Sequence, residues 1–154
     1  MRRGSWLSTA AVASAIAVLG GCGVSNSDEP SGAEARLIDQ INAICRSAND
    51  QAEAVGTPND PAGRLDAARK LADIRQRERD QIKDVPSPKG SYRDNFATFQ
   101  VWLENLVSDE HFIALRLQEG NLADADKFTS DAANDRRQMS KAASRLRARE
   151  CEAT

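Results

Sequence analysis

Only seven of the 154 residues are aromatic, one is histidine and three are cysteine. A single histidine argues against a zinc site, which draws on several His and Cys ligands. A di-iron bundle needs Glu-x-x-His pairs, but the residue three before His111 is Ser108. No Gly-rich phosphate loop, nucleophile elbow or Cys/His pair is present. Hence no cofactor, no metal and no enzymatic activity are expected. Cationic excess is also missing: 21 Lys and Arg face 23 Asp and Glu, for a net charge of −2. That balance carries no footprint for nucleic acid. The segment RQRERD at 75–80 contains its own counter-charges and reads as a solvated helix face.

The most apolar stretch, residues 6–19, is 14 long and broken by Ser8, Thr9 and Ser14. It falls short of the ~20 residues a permanent membrane helix needs. With Met1-Arg2-Arg3 before it, the stretch reads as a signal peptide. Leu19-Gly20-Gly21-Cys22 then resembles the bacterial lipobox, in which a branched apolar residue and two small ones precede a cysteine. The resemblance implies that residues 1–21 are removed and that Cys22 receives a diacylglycerol. A two-chain anchor holds a protein on a membrane where one chain binds reversibly. Residues 22–32 become the lipidated cysteine and a flexible linker, since Ser, Asn, Asp, Glu, Pro and Gly bury too little surface to order themselves. Loss of Arg2 and Arg3 shifts the net charge from −2 to −4.

Assigning Cys22 to lipid leaves Cys45 and Cys151, an even pair in an oxidising compartment, where a disulfide is the expected state. The remainder, residues 33–154, reads as four helices. Ser31-Gly32-Ala33-Glu34 has the form of a capping box. After it Ile38, Ile41, Cys45, Ala48, Ala52 and Val55 step by three and four. Asp60-Pro61 opens a second helix reaching to about residue 84, with a polar middle that makes it the most exposed. The third runs from Ser91 to a stop at Gly120, with Tyr92, Phe96, Phe99, Leu103, Leu106, Ile113 and Leu117 on one face. The fourth, 122–150, carries Ala125, Phe128, Ala132, Met139, Ala142 and Leu146. Short connections favour an all-α, antiparallel up-down-up-down four-helix bundle. Its first and last helices would be neighbours, which brings Cys151 towards Cys45.

The carboxylates lie off the apolar faces. Asp135, at a core-type position of the fourth helix, is the nearest to an exception, with Arg136 or Arg137 expected to satisfy it. His111 reads as a surface or boundary residue. The third helix is apolar on a second side, through Val101, Phe112 and Leu115. Two readings follow: a helix buried on both flanks, or an exposed patch that docks a partner.

Leader, lipobox, linker, INAICRSA in the first helix and RLRAREC at the end together resemble small actinobacterial-type lipoproteins, in which an early Ile-Cys and a late Cys bracket an Ala- and Arg-rich helical domain. The resemblance implies a helical domain on the outer face of the cell membrane and brings no active site with it. The expected function is a non-catalytic partner-binding or accessory module of the cell envelope, meeting the membrane through its diacylglyceryl-cysteine and possible envelope proteins through its surface. The alternative is a binder of a small apolar or cationic ligand within the bundle. Scarce aromatics and abundant alanine favour tight packing over a pocket.

Overall fold

A computed structural model describes residues 30–152; the leader, Cys22 and most of the linker lie outside the described residues. Helix α1, Gly32–Val55, begins at a complete capping box. The Ser31 hydroxyl accepts from the Glu34 N–H, and the Glu34 carboxylate accepts from the Ser31 N–H. Helix α2, Pro61–Lys83, starts under the Asp60 carboxylate, which accepts from the Gly63 N–H. Helix α3 spans Ser91–Gln118 and α4 spans Leu122–Leu146. The fourth helix ends earlier than its alanine-rich sequence suggests. Arg147 turns left-handed at φ 60°, and a 3-10 turn, Arg149–Cys151, takes the chain sideways.

The result is an all-α, four-helix bundle. Arg69 of α2 meets Gln118 late in α3, whereas Arg79 meets Glu104, so α2 and α3 are antiparallel. Arg116 lies near Asp124 and Glu110 meets Arg136, so α3 and α4 are antiparallel as well. The core runs through Ile38, Ile41, Phe96, Phe99, Leu103, Leu106, Met139 and Leu146, all buried. Among the described residues no helix is long and apolar enough to cross a membrane.

One expectation of topology is corrected. Helix α1 packs on α2 and on the 3-10 turn rather than lying along α4. Cys45 and Cys151 are at bonding distance with Cα atoms 5.0 Å apart, but the bond reaches α1 through the turn after α4. Asn42 accepts from the Glu150 N–H, Asn49 donates to the Glu150 carbonyl, and Arg46 pairs with its carboxylate at 2.9 Å. The C-terminal end of the chain is thus hooked onto the middle of α1. Ile38 and Ile41 of α1 nevertheless share the buried core with Met139, Ala142 and Leu146 of α4.

Candidate functional site: a charged layer beneath two clefts

On α2 the stripe Ala68, Leu71, Arg75, Glu78, Ile82 steps by three, four, three and four. That spacing keeps one face turned to the same neighbour, and it drives two charged side chains inward. Arg75 is 5% exposed and Glu78 2%. The segment 75–80 is therefore not a uniformly solvated face, and α2, with seven buried residues against four in α1, is not the most exposed of the four helices. Helix α3 repeats the pattern: Phe96, Phe99, Leu103, Leu106, Glu110, Ile113 and Leu117 keep the same steps, and Glu110 is 3% exposed.

These groups meet in one layer. Arg75 Nη1 donates to Glu78 Oε2 at 2.7 Å and to Asn49 Oδ1 at 3.2 Å, while Arg136 Nη2 of α4 donates to Glu110 Oε1 at 3.1 Å. All four helices contribute, and the Asn49 amide continues to the Glu150 carbonyl beside the disulfide. Burial pushes the Glu78 carboxyl above its ordinary pKa, with Arg75 and Arg136 partly offsetting it. Burial does the same at Glu110, opposed chiefly by Arg136. The expectation that no carboxylate is tuned by desolvation is overturned at both positions. One donor of the layer, Arg75 Nε, is buried without a hydrogen-bond partner.

Asp135 does not join the layer. It is half-buried, and its contact is Asn134 Nδ2 at 3.5 Å, because Arg136 is taken by Glu110 and Arg137 reaches Asn134. Its neighbour across the helices, Asp109, is raised to about 6 by desolvation and by the charges of Asp135, Asp131 and Glu110.

Two clefts open beside the layer, one bordered by α1, α2, α4 and the 3-10 turn, the other by α2, α3 and α4. One, of about 580 Å³, is lined by Asn49, Glu53, Leu71, Arg75, Arg136 and Arg149 among others. The second, of about 350 Å³, has apolar walls of Ala67, Ala68, Ile113, Leu117 and Ala132, with Glu110 and Arg136 also lining it. Leu71 and Arg136 belong to both clefts. Alanines at 67, 68 and 132 are buried yet border the smaller cleft, so their short side chains pack the core and also leave open space at its edge.

The second apolar side of α3 is exposed, not flanked: Val101 is 57%, Leu115 42% and Phe112 40% accessible. Phe112 stacks on Phe128 with ring centroids 4.9 Å apart, and Lys127 Nζ lies 5.1 Å from the Phe128 ring. His111 is exposed, 3.5 Å from the Gln76 side-chain oxygen. Among the described residues no group of three or more His, Cys, Asp or Glu is placed to hold a metal ion. No protein-family model, no curated protein and no solved structure matches the chain.

Proposed function

We propose that the chain is a lipid-anchored, non-catalytic helical module of the extracytoplasmic cell envelope, and that it binds a small molecule in the paired clefts beside α2 and α4. The anchor rests on the lipobox-like segment at Cys22. Binding rests on one observation: Arg75, Glu110 and Arg136 of the charged layer line two clefts that share Arg136. Buried ion pairs add little or nothing to stability compared with apolar side chains of similar size. A recognition site gives such a layer a use beyond stability. Concave clefts with apolar walls and a few converging polar groups are the ordinary form of small-molecule sites; the smaller cleft has that form, and the larger, polar one adjoins it through Leu71 and Arg136. The charges are already paired, which suits holding a ligand better than transferring a proton.

The test is native mass spectrometry of the protein extracted from its own membrane, run beside Leu71→Trp, which fills both clefts. The wild type is expected to carry a small-molecule mass that Leu71→Trp lacks, with thermal unfolding confirming that the variant folds. A bare wild type, or the same adduct on both, defeats the reading. The same spectra report the anchor. Cys22→Ala should leave the membrane fraction or remain uncleaved, and unchanged mass and fractionation would remove the lipid from the account.

A second reading, a docked envelope protein, is favoured by the exposure of Val101, Phe112 and Leu115. Cross-linked partners recovered by the wild type and lost by Phe112→Ser would support it. Identical recovery by both proteins would reject it.

A further inference from the structure

Residues 136–149 contain six Arg and Lys and no Asp or Glu. From Cys22 onward, the remaining residues hold 13 Arg and Lys against 23 Asp and Glu, so a cationic segment sits on an otherwise strongly acidic chain. The fold decides where those charges go. Met139, Ala142, Ala143 and Leu146 occupy the buried side of α4. Arg137, Lys141 and Arg145, spaced by four, therefore lie together on the opposite side, and all three are exposed. About 12 Å of helix separates the first from the last. Arg147, left-handed and exposed, and Arg149 continue the charge beyond the helix end. Among the described residues only Arg136 of the six has a carboxylate partner, and Glu150, which follows them, is paired with Arg46.

A solvated helix usually carries charges of both signs, as α2 does with Lys70–Asp66 and Arg79–Asp80. A stripe of one sign with no internal partners raises its own electrostatic energy and is relieved by an anionic surface. The position of the stripe matches a membrane. Cys45, bonded to Cys151, lies 13 residues after Gly32, about 20 Å along α1. The linker between Cys22 and α1 spans at most about 35 Å. A domain on such a tether keeps its basic face within reach of lipid headgroups.

We propose that the outward face of α4 formed by Arg137, Lys141 and Arg145, extended by Arg147, seats the domain on anionic phospholipid headgroups. This rests on the lipid-anchored reading above and adds to it a fixed orientation. The basic side of α4 turns towards the bilayer, and the acidic remainder faces away.

The test uses the full lipidated chain in vesicles of phosphatidylcholine, and of phosphatidylcholine mixed with phosphatidylglycerol. Acylation of Lys141 is followed by peptide mass spectrometry, with Lys70, exposed on α2, as internal control. In the mixed vesicles Lys141 should react at least about fivefold more slowly, the factor expected of a single cation held at an anionic surface. High salt should restore its rate by screening. Arg137→Glu with Arg145→Glu should restore it too, with an unchanged far-UV spectrum showing that the exposed substitutions leave the fold intact. Equal Lys141 rates in the two vesicles, or slowing that salt and the double variant leave untouched, would overturn the proposal. Flotation separates this from the anchor: protein that fails to float with pure phosphatidylcholine defeats the anchor alone. The stripe is then judged on flotation with the mixed vesicles, which the double variant must abolish for the proposal to stand.

Discussion

Arg75 and Glu78 form the most buried ion pair among the described residues. Each is nearly inaccessible, and they meet at 2.7 Å. Removing one partner strands the other, so Glu78→Leu should lower unfolding free energy by about 3–5 kcal/mol in urea titration. Arg75→Met combined with Glu78→Leu should cost markedly less, because no charge is then left behind. Equal costs for the single and double variants would mean that the ion pair is not the source. Asp109 allows a test by pH. Its folded value of about 6 lies above the ordinary aspartate value of 3.8, so between these the folded state binds more protons and stability falls as pH rises. The cost of burying the charge, added to by its repulsion from Asp135, Asp131 and Glu110, is fully present above pH 6 and absent below the unfolded value. Asp109→Asn should therefore raise Tm at neutral pH and leave it unchanged near pH 4, by circular dichroism. Equal Tm shifts at both pH values would refute the assignment. These residues were legible in part. Glu110, Arg75 and Glu78 all stand in three-four stripes, but charge and local counter-charges mask a periodicity that apolar residues make obvious.

At the scale of the element, caps and stops were readable because each is a local contest for a few backbone hydrogen bonds. Ser31 with Glu34, Asp60 with Pro61, and Gly120 at φ 73° all sit where the chain signals them. Nothing lies within 4 Å of a Cβ placed on Gly120. Gly120→Ala should thus cost about 1–2 kcal/mol through backbone strain alone, and Gly120→Asn less, because Asn tolerates this conformation better. Urea denaturation measures both; an alanine variant as stable as the wild type would show that the turn relaxes. The end of α4 was misplaced because nothing local stops it. Arg147, without glycine's freedom, adopts φ 60° as the chain turns towards the hook that Asn42, Arg46 and Asn49 make for Glu150. Those partners are more than 100 residues away in sequence.

Across the whole molecule the Cys45–Cys151 bond closes a loop with a separation of 106 residues. Chain-entropy arguments value such a closure at about 4–5 kcal/mol. Cys45→Ala with Cys151→Ala should lower the urea midpoint accordingly and loosen the 3-10 turn that contributes Arg149 and Glu150 to the larger cleft. An unchanged midpoint would show that the polar hook alone holds the end of the chain. By itself the sequence determined the helices, most of their limits and their apolar faces, because periodicity, caps and prolines act within a few residues. It also singled out the two cysteines as the pair left once Cys22 is assigned to lipid. The tertiary structure alone decided that the turn after α4 hooks onto α1, that Arg75, Glu78, Glu110 and Arg136 share one layer, and that clefts open beside them. Those outcomes depend on which helices touch and at what register. Register is settled by packing the whole core at once, not by any single stretch of chain.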